Sequence, residues 1–201
     1  MKMTAVILAA GESSRMGSFK PLLPFGKSTI LETVIDQIGQ AGIADIFMVV
    51  GHEGERIRKT IPSNVAAAIQ NEDYKSGMYS SILCAVRHLE SRPQRPNGVL
   101  IALADQPSIS SAVIARLVKS FHDYPEEILV PTFKGRRGHP IVFPFSILKG
   151  ATSYTGEDGL RGFRELHSES VVEVAIDEET ILIDLDTPED YEAEKIRNAQ
   201  S

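Results

Sequence analysis

Thr4-Ala5-Val6-Ile7-Leu8-Ala9-Ala10-Gly11-Glu12-Ser13-Ser14-Arg15-Met16-Gly17-Ser18-Phe19-Lys20 is the stretch on which the reading of this chain turns. Its first residues are a short apolar, partly β-branched run, which predicts a buried strand over 4–8. Residues 9–20 then predict a loop with small residues for close backbone approach, hydroxyls, and cations at Arg15 and Lys20. In an open α/β sheet, ligands bind outside the carboxyl ends of the strands, so a loop leaving a strand directly is where chemistry belongs. Exposed backbone N–H groups there can wrap phosphates, and the cations can neutralise them. The alternative is a surface loop with incidental charge. Two familiar phosphate motifs are excluded. The dinucleotide pattern G-x-G-x-x-G does not occur. Gly26-Lys27-Ser28 imitates the end of a P-loop, but the first glycine of that motif falls on Pro21. Phe25 to Ser28 therefore reads as a turn.

Outward from that loop, strands and helices alternate. Thr29 and Glu32 form a capping box, Ile30, Leu31, Val34, Ile35 and Ile38 share one helical face, and Gly42 ends the helix. Strands are predicted over 45–50, 65–69, 99–103, 128–132, 141–143, 171–176 and 181–185. Helices are predicted over 53–60, 80–89 and 159–166, around Val113, Ile114, Leu117, Val118 and Phe121, and from Thr187-Pro188, where Thr187 caps and Pro188 takes the first helical position. This alternation predicts a mostly parallel sheet covered on both faces. The closer spacing of the late strands predicts an appended β region. No repeat, low-complexity tract or composition break divides the chain, so 1–201 reads as one domain.

The 201 residues are 42% hydrophobic and 24% charged, which suits a globular chain with a core of ordinary size. The net charge of -6 is spread out, and this argues against nucleic acid or an anionic membrane as the main partner. Any phosphate chemistry must come from a local site. A single cysteine, Cys84, precludes an internal disulfide and fits a reducing compartment. The N-terminal apolar run is short for a signal peptide, and no run approaches the ~18 residues of a membrane span. The expected location is cytoplasmic.

Further candidate residues stand after strands or in polar turns. Asp105 follows the strand over 99–103 and is placed either to hold Mg²⁺ or to cap the turn before Pro107. Asp184 and Asp186, two apart, point to one side of the last predicted strand. Asp186 reads as a second metal ligand or as a carboxylate favouring the following helix dipole. Asn71, Gly77, Met78, Ser80 and Ser81 form a polar turn entering a helix, suited to a base, ribose or phosphate, or to plain capping. Gly135-Arg136-Arg137-Gly138-His139-Pro140 suits a second phosphate-bearing substrate, or is a charged hairpin tip. His52, His88, His122 and His167 read as ordinary surface or packing residues, and Cys84 as a buried one.

Leu8-Ala9-Ala10-Gly11-x-Ser13-x-Arg15-Met16-Gly17-x-x-Lys20 resembles the signature of the sugar-nucleotide and cofactor nucleotidyltransferases of glycosyltransferase-A-like fold. Asp105-Gln106-Pro107 and Arg137-Gly138-His139-Pro140 resemble the molybdenum-cofactor cytidylyltransferase subgroup. The resemblance runs from Leu8 to Asp190. It implies an α/β fold, a three-layer α/β/α sandwich with a mixed, mostly parallel sheet. It assigns the nucleotide to Leu8, Ala9, Ala10, Gly11, Ser13, Gly17, Asn71, Gly77 and Ser80. Lys20, Arg15 and Asp105 become the catalytic set, and Asp105 and Asp186 the ligands of Mg²⁺, with Mn²⁺ as the other oxygen-loving choice. Arg137, Gly138, His139 and Arg161 become acceptor contacts, with His139 positioning substrate. The implied reaction joins CTP to the terminal phosphate of molybdopterin, or its molybdenum-loaded form, with release of pyrophosphate. A molybdenum hydroxylase is the implied recipient. Ala10 favours CTP, since guanosine-using relatives carry glycine there. Two alternatives stay open: a guanylyl- or other nucleotidyltransferase with a different phosphorylated acceptor, and a non-catalytic carrier of the pterin cofactor.

Overall fold

The computed structural model describes residues 1–12 and 16–199. In chain order they form β1 (Met3–Ala9), a hairpin of β2 (Pro24–Phe25) and β3 (Ser28–Thr29), α1 (Ile30–Gln40), β4 (Ile46–Val50), α2 (Gly54–Thr60), β5 (Ala67–Gln70), α3 (Met78–Ser91) and β6 (Gly98–Leu103). There follow α4 (Ser111–Asp123), β7 (Ile128–Phe133), β8 (Arg136–Arg137), β9 (Ile141–Pro144), α5 (Phe145–Leu148), α6 (Gly159–Leu166), β10 (Val171–Ala175) and α7 (Pro188–Ala199).

β1 is central. It pairs in parallel with β4 on one side and β6 on the other, and β5 extends the sheet beyond β4. Alternate residues of β1 serve opposite faces. Ala5, Ile7 and Ala9 join the core formed with α1, α2 and α4, while Val6 and Leu8 join the core formed with α3, α5 and α6. A strand buried on both sides needs apolar residues at every position, which is why 4–8 is a continuous run without polar alternation. Beyond β6, β9 runs antiparallel, followed by β7 and then β10, which lies parallel to β7. The molecule is thus an α/β/α sandwich around a mixed, mostly parallel sheet, as expected.

The local signals behave as read. In the capping box, Thr29 Oγ1 accepts from Glu32 N at 3.2 Å and Glu32 Oε2 accepts from Thr29 N at 2.8 Å. Gly42, at φ +90°, takes the left-handed turn after α1. Phe25 to Ser28 is the turn of the β2–β3 hairpin.

Two expectations need correction. The late strands are not an appended region, because β7, β9 and β10 continue the same sheet. The predicted strand over 181–185 is not a strand: a 3₁₀ turn spans Glu179–Leu182. Its backbone groups bond to loops rather than to a ladder. Ile181 O accepts from His139 N at 3.0 Å, and Leu185 N donates to Asp105 O at 3.0 Å. The apolar spacing that imitated a strand reflects two separate anchors. Ile181 enters the core beneath α4, whereas Leu185 joins a small cluster with Phe25 and Ile30.

Candidate active site

From β1 the chain winds to β4 and β5 on one side, then crosses back to β6 on the other. The loops leaving β1 and β6 therefore diverge, and such a switch point opens a crevice at the strands' carboxyl ends. Here Ala104 N donates to Leu8 O at 3.1 Å, tying the two strand exits together. Above them lies a cleft of about 450 Å³. Its floor and walls include Leu8, Ala9, Ala10 and Gly11 from the first loop, Asp105 from the second, Lys20, Asp184, Asp186, and the stretch around Gly77.

Lys20 is the charge centre. Its residue is 9% exposed, although lysine is rarely buried without a partner. Its Nζ donates to Asp105 Oδ2 at 2.9 Å and reaches Asp186 Oδ1 at 3.4 Å. The 3₁₀ turn Lys20–Leu22, which places Pro21 next, holds the lysine at the cleft. Residues from three distant parts of the sequence thus meet at one ammonium.

Asp184 completes an acidic wall. Its Oδ1 accepts from Gln106 Nε2 at 2.8 Å. Burial pushes its carboxyl above the usual range, reinforced by the charges of Asp105 and Asp186. Among the described residues, no three carboxylate, histidine or cysteine side chains converge to hold a metal unaided. Asp105 and Asp186 offer hard oxygen donors suited to a divalent cation that completes its shell with phosphate oxygens and water. Asp186 itself is oriented by the start of α7, where Asp190 accepts from the Asp186 and Thr187 backbone N–H groups at 3.2 and 2.8 Å.

The turn before α3 is built around Asn71. Buried at 4% exposure, Asn71 donates from Nδ2 to Ser80 Oγ at 2.9 Å and Ser81 Oγ at 3.0 Å, and accepts from Asp73 N at 3.0 Å. All its hydrogen-bonding is internal, so it shapes the cleft rather than lining it. Ser80 turns back to donate to Gly77 O at 2.8 Å. The hydroxyl on the cleft is that of Ser81, on the same helical face as Met78, and Tyr74 faces the cleft from the preceding turn. Gly51 must be glycine, because a Cβ there would run into the Tyr74 side chain.

On the other side, β8 turns back along β7, and Gly138 lies so close to the Ile181 carbonyl that any side chain would collide. His139 follows. Its Nδ1 is buried without a hydrogen-bond partner, and burial, aided by the charge of Arg164, holds the imidazole below its usual range. The charge of Asp105 pulls the same ring the other way without reversing the shift. Arg137 is half exposed and bonds Glu173 Oε1 at 2.8 Å. Arg161 stands on the outer face of α6, bonded to Glu165 at 3.0 Å, away from the cleft.

The structure thus brings together Leu8, Ala9, Ala10, Gly11, Lys20, Gly77, Asp105 and Asp186. Gly17 supplies a left-handed turn in the loop at φ +64° but is not on the cleft wall. Ser13 and Arg15 lie outside the described residues. Ser81 and Asp184, named above beside Ser80 and Asp186, line the cleft as well, and Tyr74 lines it without having been singled out. Helical phase would have selected Ser81 over Ser80. Nothing in the sequence placed Tyr74.

Comparison with known proteins fits this geometry. The molybdenum cofactor cytidylyltransferase of Escherichia coli (strain K12) is 29% identical over 96% of this chain and 95% of its own. The nicotine blue oxidoreductase of Paenarthrobacter nicotinovorans is 29% identical over 80% of each chain. Rv0371c of Mycobacterium tuberculosis H37Rv, solved in complex with manganese, is 26% identical and superposes with a TM-score of 0.75 over 96% of this chain and 97% of its own. Residues 5–171 match the MobA-like NTP transferase domain, and the chain belongs to that nucleotidyltransferase family.

Proposed function

We propose that this protein transfers the cytidylyl group of CTP to the terminal phosphate of a molybdopterin-type acceptor and releases pyrophosphate. The observation that carries the reading is the convergence of Lys20, Asp105 and Asp186 at the mouth of a cleft walled by the backbone of Leu8 to Gly11. That set suits a triphosphate. Small residues let the nucleotide approach the backbone, and a buried ammonium meets its charge.

Asp105 and Asp186 would hold a divalent cation, Mg²⁺ or Mn²⁺, which when bound supplies charge neutralisation along the triphosphate. Lys20 would exchange its carboxylate partners for the α-phosphate and offset the charge that develops there. An oxygen of the acceptor phosphate forms a bond to the α-phosphorus as the α–β bridging bond breaks and pyrophosphate leaves. That oxygen is already anionic at neutral pH, so no general base is required. Positioning and electrostatics carry the rate. Arg15 is assigned to the same triphosphate, and Ser13 and Gly17 to the loop around it. Asn71 and Ser80 support the helix start on which Ser81 and Gly77 meet the nucleotide.

Ala10 is 7% exposed at the base of the cleft, and its methyl narrows the space for a purine, which favours CTP over GTP. Overall similarity to a cytidylyltransferase along nearly the full chain supports the same choice. Arg137, Gly138 and His139, consecutive where β8 leads into β9, are assigned to the second anionic substrate. Arg161, paired with Glu165 on the outer face of α6, stands away from the cleft. A product bearing the pterin would pass to a molybdenum hydroxylase.

The test is pyrophosphate release from purified protein supplied with molybdopterin and Mg²⁺, comparing CTP, GTP, ATP and UTP. Release with CTP is expected. Release with GTP alone would overturn the base assignment. Tight pterin binding with no release from any nucleotide would replace the enzyme with a carrier.

A further inference from the structure

Lys20 Nζ reaches Asp105 and Asp186. The third carboxylate on the cleft wall, Asp184, is held by a different residue. Its Oδ1 accepts from Gln106 Nε2 at 2.8 Å. Gln106 is 4% exposed and does not line the cleft, so it acts there only through Asp184. A second bond lies alongside, in which Leu185 N donates to Asp105 O at 3.0 Å. Two consecutive residues after β6 are thus fastened to two consecutive residues of the segment before α7.

The bonding of the Gln106 amide is one-sided. Its Oε1 is buried and has no partner among the described residues. Gln106 borders a void of about 10 Å³ whose walls include Val34, Ile38, Ala102, Ile109 and Ile114, apolar side chains that offer an amide nothing to bond. A buried polar atom left unpaired costs free energy, and a methionine would fill the same place without that cost. Turning the amide over would set Oε1 against a carboxylate. What the amide contributes is therefore its one donor, aimed at Asp184. The backbone bond from Leu185 to Asp105 already ties the two loops, so the distinct effect of Gln106 is on the direction of the Asp184 carboxylate.

We propose that Gln106 is a positioning residue: it fixes Asp184 so that the second carboxylate oxygen holds a water of the divalent cation carried by Asp105 and Asp186. This rests on the assignment of that cation to the cleft above. Oδ2 of Asp184 has no hydrogen bond among the described residues, so it is available to such a water. Among the described residues no three acidic side chains come together as a metal-holding group, which gives Asp184 a place outside the ion's own ligands. A small divalent cation bound through one or two carboxylates keeps several waters. Groups that bond to that shell, and groups that orient them, govern affinity nearly as much as the ligands do.

Mn²⁺ alone is the probe, titrated into the full chain without nucleotide while the free ion is read from its electron paramagnetic resonance signal. Asp105→Ala, which removes a ligand, should weaken binding most. Gln106→Met keeps the side-chain volume but removes the donor, and should weaken binding by about tenfold or more. Asp184→Asn should do the same. Its side-chain oxygen can still accept from Gln106 and keep the loops tied, but the carboxylate charge is gone. Both variants should melt within about 4 °C of the parent, which separates a lost water contact from a lost fold. Adding Gln106→Met to Asp184→Ala should cost no further affinity, because a residue that acts through Asp184 has nothing left to act on. Parental Mn²⁺ affinity in Gln106→Met or in Asp184→Asn, or a further loss in the double variant, overturns the proposal. Parental affinity in Asp105→Ala would overturn the cation assignment along with it. The titration contains neither CTP nor acceptor, so its result stands apart from whether the chain releases pyrophosphate.

Discussion

At the scale of single residues, Lys20 ties structure and chemistry together. It neutralises carboxylates brought from two loops and stands where a triphosphate would need a cation. Both ion pairs are partly exposed, so their share of stability is modest. Lys20→Ala and Asp105→Ala should each lower turnover by about a hundredfold or more. Melting temperatures should stay within about 4 °C of the parent, as expected for losses near 1 kcal/mol in a chain of this size. Differential scanning fluorimetry alongside a pyrophosphate assay checks both. An unfolded variant, or one with near-normal turnover, would contradict the assignment. His139 gives a second residue-scale test. Burial first, then the charge of Arg164, holds its folded pKa below the unfolded value, and the pull of Asp105 and the Ile101 carbonyl does not reverse this. The unfolded chain therefore takes up the proton more readily. Stability is complete above the ordinary imidazole range and is lost as pH falls through it. Urea titrations from about pH 7.5 to 5 should show that decline, and His139→Gln should flatten part of it. His88, depressed mainly by its own burial, retains the remainder. A His139→Gln curve parallel to the parent's would show that the ring is not held neutral.

At the scale of elements, the segment after β10 decides whether Asp184 and Asp186 reach the cleft. Leu185, between them, is fully buried against Phe25 and Ile30, and Tyr191 of α7 donates to Pro24 O at 2.6 Å. This cluster is small and separate from the two main cores, so it has little to redistribute a loss. Leu185→Ala should cost about 2–4 kcal/mol locally. It should loosen 183–187 before the sheet and depress nucleotide affinity while far-UV circular dichroism is unchanged. Hydrogen exchange should be faster at the Leu185 amide, which bonds Asp105 O, than at β1 amides. Uniform loss of protection across the sheet would refute a local role. The same segment shows where sequence reading stops. β1, β4, β6 and α1 were legible because their apolar pattern answers to one geometry, a strand buried on both faces or a helix with one buried stripe. At 181–185 the spacing came from two anchors in different cores, and period-two alternation cannot express that. Asp105 and Lys20 were legible because loop chemistry after a strand is local. Tyr74 was not: its significance lies in the neighbours that the turn before α3 meets in three dimensions.

At the scale of the whole molecule, the cleft is a junction. The loop after β1, the loop after β6, the start of α3 and the segment leading to α7 meet there and nowhere else among the described residues. Asp105, Asp184 and Asp186 crowd one wall of the cleft, with Lys20 bonded to two of them, so closing the site with a nucleotide and a divalent cation should relieve repulsion as well as add contacts. A ligand that binds only the folded chain stabilises it by about 2.7 kcal/mol at a hundred times its dissociation constant. For a chain of this length that is a rise of roughly 5–10 °C in melting temperature. CTP with Mg²⁺ or Mn²⁺ should give such a rise, a chelator should abolish most of it, and Asp105→Ala should be nearly blind to it. The rise should also appear as slower exchange at the Ala104 and Leu185 amides, which couple the sheet to the two acidic loops. If CTP raised the melting temperature equally with and without the cation, the carboxylate pair would not be a metal site. Lys20 and the backbone of Leu8 to Gly11 would then have to hold the triphosphate alone.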